Sequence, residues 1–344
     1  MLDFTEFKED EQRAQLDKAM AELLFESCNT DEDVASKAQR RIAKAFELPL
    51  RKGILYGDIL FPFFKREKFD PSANIEYPLD LISPGTEKNF RAYTNPGHGR
   101  VPENAVEADY VRIDTYGVMD SIDFLLRFGE DKRLDILRRS MEALYGSFVK
   151  KLNDDGMRTL LAGAADRGIL VYDGDAAAAQ FTKRLISLLK TVMKRQGGGN
   201  SVTANGRATD VCTSPEAIED TRNWGIDQVD ELTRREIYLA SDDSEKITRI
   251  QGVNLHGLLE FGDGQEYQEF FLNELGGALG PNSDAELVLA LDLSKNDSFI
   301  MPIKKELEIF EDKALHRQQR QGYYAWMNVG FGVLDTRRTL AGSF

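Results

Sequence analysis

Between residues 130 and 165 apolar side chains recur at intervals of three and four: Leu134, Leu137, Met141, Leu144, Tyr145, Phe148 and Leu152. That spacing places them on one side of an α-helix. Arg133, Arg138, Arg139, Glu142, Lys150 and Lys151 take the other positions, and Leu160, Leu161 and Ala164 extend the stripe past Asp154-Asp155-Gly156. One helix of this extent is roughly 50 Å long at ~1.5 Å per residue. It is far longer than the mean globular helix and suits the backbone of a flat, elongated molecule. Leu134, Leu137, Met141, Leu144, Phe148 and Leu152 are its expected core. The alternative is two ordinary helices broken at Gly156.

Upstream, residues 9–46 read as helix with a break at Ser27-Cys28-Asn29-Thr30. Leu16, Met20, Leu23 and Leu24 fall at helical spacing before the break, and Val34, Ala38, Ile42 and Ala45 after it. Thr30 with Asp33 gives a weak capping box for the second helix. The apolar stripe is narrow and the segment highly charged. It either docks on another subunit or packs as a hairpin on its own domain. From Leu48 to Asp109 the chain carries Pro49, Pro62, Pro71, Pro78, Pro84, Pro96 and Pro102, seven of its ten prolines. The runs Gly53–Phe61 and Ile75–Leu79 read as extended. Proline demotes strands to edges or bends, and an isolated two-stranded ribbon is marginal in water. A long excursion of this kind needs a support, and a neighbouring subunit supplies one. Phe61, Phe64, Lys65, Lys68 and Tyr77 are the residues expected at that contact.

Downstream the pattern is mixed. Gly168–Asp173 reads as strand, Phe181–Lys194 as helix, and Gln196-Gly197-Gly198-Gly199-Asn200 as a hinge. Ala208–Thr213 is a strand. Ser214-Pro215-Glu216 then opens a helix with Ser at the N-cap, Pro at the first position and an acid in the first turn. Ile226–Ile237 and Glu266–Leu275 look helical, with strand-like Val253–Leu258 between them. The last sixty residues turn to strands at Glu286–Leu293, Phe299–Ile303, Leu307–Phe310 and Gly322–Leu334. The final run, with Tyr323, Tyr324, Trp326 and Phe331, is expected to lie beside the long helix. The class is α+β, without the βαβ rhythm of a nucleotide-binding sheet.

Signs of catalysis are absent from the sequence. His98, His256 and His316 are far apart and none sits in a metal-binding spacing; Cys28 and Cys212 form no CxxC and read as reduced thiols. Gly197-Gly198-Gly199 ends a helix instead of opening one, which is wrong for phosphate binding. Asp166, Asp173 and Asp175 around the short strand, and Gly262-Asp263-Gly264, read as turn residues. No cofactor or metal is expected, and the chain reads as a non-enzyme. No apolar run reaches the ~18 residues of a membrane span, and Met1–Glu6 lacks a signal-peptide start, so a cytoplasmic setting is expected. The formal net charge of -14 argues against a surface that grips nucleic acid, because phosphate contacts need clustered Lys and Arg. It does not exclude a role near nucleic acid, because a surface that repels DNA lets the polymer slide instead of sticking.

The order of these segments resembles the Hong Kong 97-type fold of tailed-phage major capsid proteins. The loop entry Leu50-Arg51-Lys52-Gly53-Ile54-Leu55 leads to Tyr77-Pro78-Leu79-Asp80. The return passes through Gly99-Arg100-Val101-Pro102 to Val111-Arg112-Ile113. The helix carries Arg133-Leu134-Asp135-Ile136-Leu137-Arg138-Arg139, and Asp210-Val211-Cys212-Thr213-Ser214-Pro215-Glu216 opens the next unit. The end reads Phe299-Ile300-Met301-Pro302-Ile303, Leu307-Glu308-Ile309-Phe310 and Gly332-Val333-Leu334-Asp335. No one stretch is diagnostic; their joint order makes the case.

The resemblance implies five segments: an N-terminal helical arm (1–50), an extended loop (51–108), a peripheral domain with the spine helix (109–206), an axial domain (207–304) and a return to the peripheral domain (305–344). It also implies a virion protein assembled in the host cytoplasm. Homo-oligomeric hexamers and pentamers would enclose double-stranded DNA, bound without sequence specificity, in an icosahedral head with a portal. The N-terminal segment is too short for a fused scaffold, so a separate scaffolding protein is expected. Some relatives cross-link subunits through a loop lysine and an asparagine; Lys65, Lys68, Lys88 and Asn328 are the residues to watch. The competing readings are an encapsulin-like cargo compartment and an α+β enzyme with a scattered site.

Overall fold

The computed structural model describes residues 18–27, 31–56, 63–78, 110–125, 130–173, 180–196, 206–224, 248–280, 284–294, 297–318 and 320–344. The expected helix at 226–237, the glycine hinge, Cys28, Phe61, His98, Asp175 and the loop from 79 to 109 lie outside them. Helix α1 covers 18–26 and α2 covers Glu32–Tyr56. The side chain of Asp31 starts α2 by accepting from the Asp33 N–H; Thr30, the expected cap, is outside the described residues. The helix runs ten residues beyond the expected end at 46 and passes through Pro49, where extended chain was expected from Gly53. Proline removes one helical hydrogen bond and disfavours a helix interior. Tertiary contacts override that cost: Ile42 and Ala43 are buried in the main core, and Arg51 holds Glu306 at 2.8 Å.

Helix α3, Glu130–Arg167, is a single rod of 38 residues that passes Gly156 without a break. The described elements form two main sheets. The first takes β1 (Lys65–Lys68), β10 (Phe299–Glu311), β11 (Arg320–Val329) and β4 (Tyr116–Leu125) in that order, with β12 (Gly332–Val333) also on β10. β1 joins β10 in parallel; β11 is antiparallel to both β10 and β4. The runs Phe299–Ile303 and Leu307–Phe310, expected as two strands, are one. Its register slips on either side of Lys305, and such bulges bend a strand without ending it.

The second sheet has six strands in the order β5 (Leu170–Tyr172), β13 (Thr339–Ser343), β9 (Leu287–Leu291), β6 (Asp210–Thr213), β8 (Val253–Gly257) and β7 (Thr248–Ile250). β9 is buried along its whole length. Leu287, Leu289 and Leu291 face the core shared with the spine, while Val288 and Ala290 face a second core with Leu185, Ile186 and Leu189 of α4 (Lys183–Gln196). A strand covered on both sides reads as a continuous apolar run. Helix α5, Pro215–Asn223, starts as expected: the Ser214 hydroxyl accepts from the Ala217 N–H, with Pro215 in the first turn. The expected helix at 266–275 is four α-helical residues, Glu266–Glu269, continued by a π-helical turn, Phe270–Glu274. A small ribbon, β2 (Glu76–Pro78) with β3 (Tyr110–Arg112), closes the base of the excursion.

Two stretches from different parts of the chain join the second sheet. β5 and α4, expected with the spine, belong to the second sheet and its far core. β13, in the stretch expected to return to the first unit, sits between β5 and β9. Thr339–Ser343 gave no alternating pattern because every one of its residues is buried.

Candidate functional site: spine, loop base and exposed faces

The spine stripe is assembled as its spacing requires. Leu137, Met141, Leu144, Phe148 and Leu152 are all buried in the main core; the Leu134 side chain lies outside the description. Opposite them stand Val118 of β4 and Tyr323, Ala325, Met327 and Val329 of β11. The closing strand thus contributes alternate residues, and its larger aromatics point the other way. Tyr324 stacks on Phe310 with centroids 5.4 Å apart, and Lys305 lies 4.1 Å above the Trp326 ring. The strand-period rule puts residues 323 and 324 on opposite faces. The expected aromatic cover of the helix is therefore half of what the sequence suggested.

The loop-base residues are anchored in their own chain. Phe64 is buried, its ring edge-on to Phe299 and Phe331 at 6.2 and 5.1 Å. Lys65 pairs with Glu67 and Asp297 at 3.0 and 3.1 Å, Lys68 with Glu306, and the Tyr77 hydroxyl donates to Glu67 at 2.7 Å. Phe64, Lys65, Lys68 and Tyr77, expected at an inter-subunit contact, thus have partners within their own chain as well. Their hydrophobic and charged character serves to root the excursion on β10, which the parallel pairing of β1 achieves. The N-terminal helices also pack at home. Met20 and Leu24 join the main core, and Ser36 and Arg40 both donate to Glu311 at 2.8 Å.

What the sequence did not announce is a set of buried ions where the chain crosses between the sheets. Arg338 is bound to Asp292, with Ser294 at 3.3 Å and Asp335 at 3.6 Å. Arg337 holds Asp335 through two nitrogens at 2.8 and 2.9 Å. Arg167, at the end of α3, donates to the carbonyls of Arg337 and Thr339 at 2.8 and 2.5 Å, and burial pulls its guanidinium down to about 10. Three crossings, after α3, after β9 and before β13, are thereby tied together. Asp292 at the end of the apolar run Leu287–Leu291 was the available signal, since a buried acid needs a cation. A second pin joins β6 to β8: Asp210 takes His256 at 2.8 Å and Asn254 at 3.0 Å, and the Phe63 ring sits edge-on to His256 at 5.1 Å.

Burial raises the Asp335 carboxyl, but the hydrogen bonds and charge of Arg337, with Arg338, outweigh it and hold the group below the usual carboxylate range. Asp210 is likewise held low against burial, by His256, Asn254 and Thr209. A carboxyl with a depressed folded pKa stabilises the fold above its unfolded pKa, ~3.9, and that contribution is lost as pH falls through the folded pKa. The melting temperature of the purified protein is expected to hold from neutrality to about pH 4.5 on this account and to drop below it. Asp335→Asn should lower the melting temperature at pH 7 and flatten the acid limb. An unchanged limb in a calorimetric pH series would remove Asp335 from the account.

Several apolar side chains stand exposed on different elements, among them Met119 (71%), Leu259 (78%) and Phe25. Among the described residues no group of acids, histidines and cysteines could hold a metal, and no helix is long and apolar enough to cross a membrane. No protein-family model matches the chain, and no curated protein sequence matches it. Solved structures do. The capsid asymmetric unit of cyanophage Pam1 aligns with TM-score 0.54 at 12% identity over 84% of this chain and 92% of that one. Microbacterium phage Oxtober96 aligns at 0.54 and 12% over 83% and 90%. The head structure of Helicobacter pylori bacteriophage KHP40 aligns at 0.52 and 10% over 83% and 90%. Matched over 83–84% of its length by these three phage structures, the chain, with its 38-residue spine laid against one sheet and pinned to a second, has the fold of the tailed-phage major capsid proteins.

Proposed function

We propose that the chain is the major capsid protein of a phage of the Hong Kong 97 type. It works as a structural subunit and not as an enzyme. Copies assemble into hexamers and pentamers of an icosahedral head around double-stranded DNA, with a separate scaffolding protein and a portal. The observation that carries this reading is the match over most of both chains to phage capsid subunits. Electron microscopy of the chain expressed with its candidate scaffold tests the reading. Closed shells with hexameric and pentameric units are expected. A discrete monomer or dimer under all conditions would point to an enzyme, and small closed shells filled with protein to a cargo compartment.

The excursion between Pro78 and Tyr110 leaves and returns through a ribbon of three residues per strand, which cannot stabilise a long loop alone. Replacing residues 79–109 by a short turn should leave a subunit with near-parental melting temperature that builds no shells. Normal shells from that variant would show that the excursion has no assembly role.

A further inference from the structure

Strand β4 ends the first sheet, and among the described residues no strand runs along its outer side. The direction of its unused hydrogen bonds can be fixed. Asp312 donates to the Gly322 carbonyl, so even-numbered residues of β11 bond toward β10. Odd-numbered ones bond toward β4, where Tyr323, Ala325 and Met327 stand opposite Ile122, Asp120 and Val118. Antiparallel ladders use alternate residues. The backbone groups of Gly117, Met119, Ser121 and Asp123 therefore point to the free edge. The Ser121 N–H agrees: it donates to the neighbouring Asp120 carboxylate at 2.8 Å, a local substitute for a strand. All four residues are exposed, and Met119 lies beside Trp326.

A ten-residue edge strand with such a row is a template for another strand. We propose that this edge pairs, antiparallel and about a twofold axis through Met119, with the same edge of a second copy. The proposal rests on the shell reading, in which identical subunits lie side by side and an icosahedral shell supplies twofold axes. Charge selects the register. With Met119 on the axis, Gly117 meets Ser121 and Val118 meets Asp120; the two Met119 side chains cover each other and the flanks of both Trp326 rings. With Asp120 on the axis, two carboxylates stand directly opposite, which is destabilising. With Ser121 on the axis, each Met119 meets Asp123. In the favoured register the Ser121 N–H exchanges its own-chain carboxylate for the partner's Gly117 carbonyl, and the first sheet continues unbroken through the interface.

Met119→Pro tests this, since it deletes an edge-directed N–H and leaves the ladder to β11 whole; proline is tolerated on a free edge. The unassembled variant should melt within a few degrees of the parent, while particle yield falls by roughly tenfold or more. Met119→Lys, which puts two like charges on the axis, should do the same and carries the test if the proline variant fails to fold. Met119→Cys in assembled particles should give covalent dimers with a short bis-maleimide. Ser121→Cys should not, because its two copies stand roughly 13 Å apart at ~3.3 Å per residue. Parental particle yield from Met119→Lys, absence of dimers from Met119→Cys, or equal dimers from both cysteine variants would overturn the proposal. If the parent forms no particles the shell reading fails separately. The edge is then judged by light scattering: a dimeric parent that Met119→Lys makes monomeric supports it, and a monomeric parent overturns it.

Discussion

Leu144→Ala is expected to destabilise the unassembled subunit by about 2–5 kcal/mol, and Leu144→Asp to leave little soluble folded protein. Leu144 is 1% exposed near the middle of α3, within the core that joins the spine to both sheets. Truncation removes transfer energy and leaves a cavity that a rod held along its length cannot collapse. A loss of that size is a large part of the ~5–15 kcal/mol stability of a typical domain. An aspartate there would be a buried charge without a partner. Arg139→Ala, on the exposed side of the same helix, should leave melting nearly unchanged and act on assembly. Thermal unfolding of the three variants beside a particle count checks this. If Leu144→Asp melts like the parent, the stripe is not buried.

Arg338→Met is expected to cost about 3–5 kcal/mol, the range for removing one partner of a buried ion pair. The side chains of Arg338 and Asp292 are 2% and 0% exposed, so the substitution strands the Asp292 carboxylate in the protein interior. Asp292 still accepts from the Arg207 and Ser294 N–H groups, which limits the loss. The double variant Arg338→Met with Asp292→Asn should recover much of it, since the uncompensated charge is then gone. Denaturant midpoints of the single and double variants decide the matter. No recovery would mean that Arg338 contributes mainly through packing.

Legibility in the sequence followed what each element buries. The spine is amphipathic, so its period of three and four showed both its existence and its inward face. Ser214-Pro215 was legible because capping is local chemistry. Pro49 misled: local propensity argued for extended chain, and contacts of Ile42, Ala43 and Arg51 with distant residues kept the helix going. β13 was invisible because a strand buried on both faces has no alternation to read. The loop-base residues were hard to read for a related reason. An apolar and basic cluster looks the same whether it meets a neighbour or its own chain; the own-chain part of its contacts shows only in the parallel pairing of β1 with β10. Arg338 lay beyond the last periodic segment, so its partner could be known only once the chain's crossings were drawn together.

The first sheet joins the two ends of the chain. Lys65 and Asp297, 232 positions apart, meet beside its parallel pair, and Asp123 meets Arg320 across 197. High contact order slows folding, because loop-closure entropy is lost before distant contacts reward it. α3 needs only local hydrogen bonds and is free to form early. Its apolar stripe then waits, uncovered, for β10 and β11 to be translated and to come home. During synthesis at ~5–20 residues per second, that interval lasts on the order of ten seconds or more. Nascent subunits on neighbouring ribosomes would present the same greasy rod to one another throughout it. The long stiff rod that ties both sheets together thus makes each new copy a natural client for chaperones until its last strands arrive.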